Sequence, residues 1–103
     1  MQEVWVRILG LPLHLWSVEV FRKLGNECGG FVSVDVDTSN HTNLQWAEVL
    51  VKNDGRRMPR VLHLVVSNLC FSVQLWWEVS PWLKLGTGQL GRERGDGGTR
   101  AIL

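Results

Sequence analysis

The chain has 103 residues, a length that suits one domain with one hydrophobic core. Apolar residues make up 45% of the chain and the net charge is +1, which excludes global disorder and any bulk attraction to nucleic acid or membrane. Binding of that kind would need a local patch. Six Trp and no Tyr is an unusual aromatic content, because Trp provides either a large buried area or a flat stacking surface.

The two cysteines, Cys28 and Cys70, are isolated in the sequence and form no Cys-x-x-Cys pair. A disulfide scaffold and a zinc site therefore lack support, and we predict two buried thiols in a reducing compartment. Glu3 and Arg7 interrupt any N-terminal signal peptide, and no apolar run reaches the roughly 18 residues of a membrane span. The expected localisation is intracellular, in the nucleus or the cytoplasm.

The N-terminal residues predict a strand, a sharp turn and a helix. Apolar and polar residues alternate at the start of the chain, with the inward-facing positions at Val4, Val6 and Ile8. Gly10 and Pro12 end this strand. Ser17 can cap a helix that runs to about Cys28, with Gly25 as an alternative end because glycine weakens a helix.

One stripe of the predicted helix is apolar and contains Phe21 and Leu24. Trp16 precedes the cap and Phe21 is the fourth helical residue, which is the spacing of a hydrophobic staple. Because this is the one amphipathic helix, we predict that it packs on the alternating apolar face of the strands, at Val6, Ile8, Val34, Val49 and Val51.

Four further strands are predicted from alternating patterns, over Phe31–Asp37, Gln45–Lys52, Val61–Ser67 and Phe71–Val79. Residues 85–103 are rich in Gly and Arg and contain little to bury, which predicts a flexible tail. The chain thus divides into an α+β domain over residues 1–84, in the order β-α-β-β-β-β, and this tail. A strand–helix–strand crossover followed by an antiparallel meander gives one antiparallel-rich sheet and one packed helix.

A single helix covers one face of such a sheet and leaves the other open. Several Trp share the parity of the open face, which indicates a binding platform or a surface that has lost its partner. The residues predicted there are Trp5, Arg7, Ser33, Asp35, Trp46, Glu48, Leu50, His63, Trp76 and Glu78.

Three stretches, Trp5–Ser17, Gly29–Thr38 and Gln45–Lys52, resemble a plant family of domains of unknown function, numbered four-two-eight-three. The segment Phe71–Val79 is similar to members from the first open reading frame of LINE-type retrotransposons. The resemblance covers about residues 4–82 and implies an RNA-recognition-motif-like fold without catalytic residues. Family members usually carry an additional upstream half, and many continue into a zinc knuckle, so we expect this chain to be a C-terminal fragment or truncated copy.

Two groups of side chains are candidates for nucleic-acid contacts. Trp5, Trp46 and Trp76 could stack on unpaired bases, with Arg7 beside them, or they could pack in a core or an interface. A dense cationic run could contact phosphates, or it could be a solvated hairpin loop, and it comprises Lys52, Arg56, Arg57 and Arg60.

Other motifs do not predict chemistry. The glycines of Gly86-x-Gly88-x-x-Gly91 match a dinucleotide fingerprint in letters, but the residues that follow do not favour the helix that the mechanism requires. Asp35 and Asp37 have no evident third metal ligand, and the three His have no nucleophile beside them. We therefore expect no enzyme activity, no metal and no cofactor.

The sequence favours a non-enzymatic nucleic-acid-binding module of retrotransposon origin that binds single-stranded RNA or DNA. The alternative is a structural or protein–protein interaction fragment that associates with itself through the Trp-rich face, or a non-functional gene copy. No membrane partner is expected.

Overall fold

The computed structural model describes residues 2–78 and 100–102, which form a six-stranded mixed sheet with one main helix on one face. The strands are β1 (Gln2–Leu9), β2 (Phe31–Val34), β3 (Ala47–Asn53), β4 (Val61–Val66), β5 (Leu69–Glu78) and β6 (Arg100–Ile102). The helices are α1 (Val18–Glu27) and the short α2 (Val36–Ser39), and a 3₁₀ turn precedes α1 over Leu13–Leu15. The predicted α+β class, with one antiparallel-rich sheet and one packed helix, is confirmed.

The strand order is β2-β3-β1-β5-β4-β6, with antiparallel pairing throughout except between β4 and β6, which are parallel. The predicted meander is therefore wrong in its middle part. β3 inserts between β1 and β2, and β1 separates β3 from β5, so β3 and β4 do not form a hairpin. The connection between them crosses the end of the sheet, because it must pass both β1 and β5.

The core lies between α1 and one face of the sheet. Phe21 and Leu24 of α1 are buried in a single cluster with Val6, Ile8, Val49 and Val51, and Val34 packs against it. The predicted packing of the helix is confirmed. The burial follows from the period-2 pattern of the strands, since every second residue of β1 and β3 is buried.

Both ends of α1 follow the predicted signals. The Ser17 hydroxyl accepts a hydrogen bond from the backbone N–H of Val20, at 3.2 Å, and the Trp16 and Phe21 rings meet edge to face, with centroids 5.9 Å apart. The helix continues through Gly25, and β2 approaches it closely there. A Cβ atom at Gly25 would lie 3.0 Å from the Cβ of Phe31, so a side chain would require Phe31 to shift by a few tenths of an ångström.

β2 is shorter than predicted, because it ends at Val34 and α2 begins at Val36. The Asp35 carboxylate accepts a hydrogen bond from the backbone N–H of Asp37, at 3.0 Å, and so caps α2. The prediction that Asp35 lies on the open sheet face, as part of a strand reaching Asp37, is wrong. Asp is a common N-cap residue, and here the cap competes successfully with the alternating strand pattern.

A strand lies inside the predicted tail. Residues 100–102 form β6, which runs beside β4, and Ala101 is buried. β4 is apolar on both faces and would otherwise be an edge strand, so a short segment with small and β-branched residues can complete it. The rest of the predicted tail, and the glycine motif at residues 86–91, lie outside the described residues.

The two cysteines differ in their surroundings. Cys28 is buried at the end of α1, and this burial raises the pKa of its thiol to about 12, so the thiol is protonated at neutral pH. Cys70 is exposed, so the prediction of a buried thiol is wrong there. β5 begins at Leu69, two residues earlier than predicted, and Cys70 shares the parity of the exposed Ser72 and Trp76.

In the described ranges, 2–78 and 100–102, no helix is both long enough and apolar enough to cross a membrane.

Candidate functional site

The face of the sheet opposite α1 carries Trp5 on β1 and Trp76 on β5, and Trp46 lies immediately before β3, which begins at Ala47. Arg7 of β1 lies in register between Glu48 of β3 and Trp76 of β5. In the next exposed row, Trp5 of β1 lies between Leu50 and Glu78. The parity prediction for Trp5, Arg7 and Trp76 therefore places them correctly on one surface, which we call the open face.

Arg7 is the centre of a cluster on this face. Its guanidinium forms an ion pair with Glu78, with 2.5 Å between Nε and Oε2. The same guanidinium lies over the Trp46 ring, with Cζ 4.6 Å from the ring centroid, and the Trp46 indole N–H donates to Glu48, at 3.4 Å. Strands β1, β3 and β5 thus bring a cation, an aromatic ring and two carboxylates together.

The environment of the cluster shifts the pKa of the Glu48 carboxyl. Partial burial raises the pKa of this carboxyl above its usual value, and the hydrogen bond and the charge of Glu78 raise it further. The Trp46 indole and the Arg7 charge act in the opposite direction but do not reverse the shift. Partial burial and the neighbouring Glu78 carboxyl therefore disfavour the charged form of Glu48 in the folded protein.

A pH dependence of stability follows from this shift. The folded state binds the Glu48 proton more tightly than the unfolded state, so this group lowers stability as the pH rises through its raised folded pKa. Replacing Glu48 with Gln removes that contribution. We expect the variant to gain stability relative to wild type at pH 7, by less than about 1 kcal/mol, and to lose that advantage at about pH 4, below the ordinary pKa of 4.5.

Urea unfolding of both proteins at the two pH values measures this difference. An advantage of the variant that is the same at both values would contradict the assigned shift.

The three Trp of the open face differ in what they offer a ligand. Trp76 is 63% exposed, whereas Trp5 and Trp46 are only partly exposed. Arg7 covers one side of Trp46, while Trp76 has no ring or cation contact among the described residues. Trp76 is therefore the ring with the largest area free for stacking.

The predicted basic run lies apart from this cluster. Lys52 is exposed on β3, in register with Glu3, but the other cations occupy the connection between β3 and β4. This connection, residues 54–60, is not the hairpin loop that the sequence suggested. Its Met58 and Pro59 are buried, and the Pro59 carbonyl accepts a hydrogen bond from the Trp77 indole, at 2.7 Å.

Asn53 fixes the connection from the other end. Its side-chain amide donates to the Cys28 and Arg57 carbonyls, both at 2.8 Å, and its carbonyl oxygen accepts from the Gly55 N–H. Asn53 is buried and Trp77 packs against the core, so both anchors belong to the helix-covered side of the sheet. Arg56 is exposed and pairs with Asp54, at 3.8 Å.

Sequence reasoning did not identify the two structural roles that shape this surface. The sequence predicts Glu78 on the open face but not its ion pair with Arg7. It gives no prediction for the side chain of Asn53, which joins the basic connection to the end of α1. Nothing in local periodicity could find either contact, because both depend on the order of strands in the sheet.

Comparison of the chain with protein-family models, with curated proteins and with solved structures gives no significant match in any of the three.

Proposed function

We propose that this chain is a non-enzymatic module that binds single-stranded RNA through the open face of its sheet. The observation that carries the proposal is the position of Trp5 and Trp76 on the adjacent central strands β1 and β5, with Trp46 beside them against Arg7 and with Trp76 63% exposed. RNA-recognition-motif domains bind unpaired bases by stacking them on aromatic side chains of a sheet face. A sheet face with projecting indole rings is suited to the same chemistry.

The basic residues have a separate part in this proposal. Lys52 lies on the open face, Arg56 and Arg57 lie on the connection just after β3, and Arg60 lies at its other end, where its carbonyl accepts from the Leu75 N–H of β5. A single strand that stacks on the Trp rings would reach these cations with its backbone at one end. The proposed ligand is thus held by stacking in the middle of the face and by phosphate contacts at its edge.

The resemblance of Trp5–Ser17 and Phe71–Val79 to plant LINE-type retrotransposon domains supports this proposal. We extend the proposal to an origin in such an element and to a place in the nucleus or the cytoplasm.

The test is a fluorescence-anisotropy titration with a labelled single-stranded RNA of about 12 nucleotides, at several salt concentrations. Replacing Trp76 with Ala should weaken binding by about 1–3 kcal/mol, or about 5- to 150-fold, because one stacking surface is lost. The salt dependence should stay unchanged, because stacking releases no counterions. Replacing Arg56, Arg57 and Arg60 together with Ala should instead flatten the salt slope by about 2 units.

Leu69→Ala is the matched control. Leu69 begins the same strand and is 59% exposed, close to the value for Trp76, but it lies at the parity of the helix-covered face. Binding should be unaffected by this change. If the wild-type chain does not bind the RNA at low salt, the proposed function is wrong.

A second candidate function is favoured by the charges of the open face. Strands β1, β3 and β5 place three carboxylates there, Glu3, Glu48 and Glu78, against two cations, Arg7 and Lys52. A face of mixed charge with an exposed Trp is also suited to a second copy of the chain, since each cation can face a carboxylate across a two-fold axis. Sedimentation that shows concentration-dependent dimers, without RNA binding, would favour this function.

A further inference from the structure

Arg7 is the cation at the centre of the open face, and Glu78 holds it in an ion pair. Glu78 takes the Nε position of the guanidinium, and Trp46 covers one of its flat sides. Glu48 lies in register on the other neighbouring strand. A ligand phosphate that approaches Arg7 is therefore repelled by two carboxyl groups, and one of them, Glu78, already binds the guanidinium.

We propose that Glu78 determines which part of a single strand binds at the centre of the open face. Its carboxylate forms an ion pair with Arg7 where a ligand phosphate would otherwise bind, and this restricts the centre of the face to base stacking. The inference rests on the proposed function, since it names the part of a single-stranded nucleic acid that binds at the centre of the face. Carboxylate and phosphate both accept from guanidinium N–H donors, so a phosphate cannot use the Nε–H of Arg7 while Glu78 holds it, and the charge of Glu78 repels a phosphate from the remaining donors.

The geometry gives this role to Glu78 and not to Glu3. Glu3 is a carboxylate of the same face that lies outside the Arg7 cluster. Glu3 lies in register with Lys52, two residues away from Trp5 along β1, and Glu78 contacts Arg7 directly. Neutralising either residue removes one negative charge from the same surface. A general electrostatic effect would therefore be similar for both, whereas the release of a guanidinium would follow from the change at Glu78 alone.

As a consequence, the centre of the face binds the bases of a single strand in preference to its phosphate backbone. With Glu78 in place, a strand is held centrally by the Trp rings, and its phosphates contact cations at the edge of the sheet. Without Glu78, Arg7 gains the freedom to bind a phosphate, and binding should depend more strongly on salt and less on the stacking strength of the bases.

The experiment compares wild type, Glu78→Gln and Glu3→Gln in the anisotropy titration with the same labelled single-stranded RNA. We expect Glu78→Gln to steepen the salt slope by about 0.7, the value of one additional phosphate contact to a single strand. At about 50 mM salt this slope corresponds to a gain in affinity of about five- to tenfold. Glu3→Gln should leave the slope as in wild type.

The double variant Arg7→Ala, Glu78→Gln identifies the group responsible. The gain from Glu78→Gln should disappear in the Arg7→Ala background, because no guanidinium is then released. A thermal melt of each variant shows whether the domain stays folded.

The outcomes separate the two proposals. If the wild type binds RNA and Glu78→Gln changes neither slope nor affinity, or changes them no more than Glu3→Gln does, the role of Glu78 is wrong while the proposed function stands. If neither the wild type nor Glu78→Gln binds RNA, the proposed function fails and the inference fails with it.

Discussion

Replacing Phe21 with Ala is expected to lower the free energy of unfolding by about 3–5 kcal/mol. Phe21 is almost fully buried in the cluster between α1 and the sheet, and its ring also meets Trp16 edge to face. The substitution removes apolar area from the core and leaves a cavity that the rigid strands cannot close. A domain of this size has only about 5–15 kcal/mol of stability in total, so the loss is a large share of it.

Thermal and urea unfolding measure this effect, and the expected fall in Tm is about 15–30 °C. Val18→Ala is the control, because Val18 lies on the same helix and is exposed, so its loss should change stability by less than about 0.5 kcal/mol. Equal stabilities of the wild type and Phe21→Ala would show that α1 does not pack on the sheet through this residue.

The second large effect is expected from Asn53→Ala, at about 2–4 kcal/mol. The buried Asn53 amide makes three hydrogen bonds, to the carbonyls of Cys28 and Arg57 and from the N–H of Gly55. Alanine leaves all three backbone groups without this partner, two of them in hydrogen bonds that are buried, those of Cys28 and Gly55. The cost therefore exceeds that of a hydrogen bond lost at the surface.

The change should also loosen the basic connection, residues 54–60, which hydrogen exchange of its backbone amides would detect. Asn43→Ala is a suitable control, because the Asn43 side chain accepts one backbone hydrogen bond, from Gln45, at a partly exposed site. A loss of stability as small as that of the control would refute the anchoring role of Asn53.

The sequence allowed the elements and the faces to be predicted because both depend on local rules. The alternation of Val4, Val6 and Ile8 with Trp5 and Arg7 places each side chain above or below the sheet, whatever strands lie beside it. The Ser17 cap and the Trp16–Phe21 contact depend on residues within one turn of helix. These features follow from the chain itself.

The order of strands could not be predicted in this way. Nothing in the patterns of β3 and β4 indicates that two other strands separate them, so the basic residues of the connection were placed on a hairpin. The ion pair of Arg7 with Glu78 joins residues from opposite ends of the described domain and appears only once β1 and β5 are known to be neighbours. The alternating pattern of β2 also failed to predict its end, because Asp35 caps α2 and the strand ends at Val34.

The central place of β1 in the sheet has a consequence for how the chain is made. β1 precedes both of its neighbours in the chain, since these are β3 and β5, and β5 ends only at Glu78. During synthesis both edges of β1 stay unpaired until β5 has emerged, and the loops that must close are long. Pairing of β1 on both sides therefore waits for β5, and until then the unpaired backbone groups of β1 are open to wrong partners.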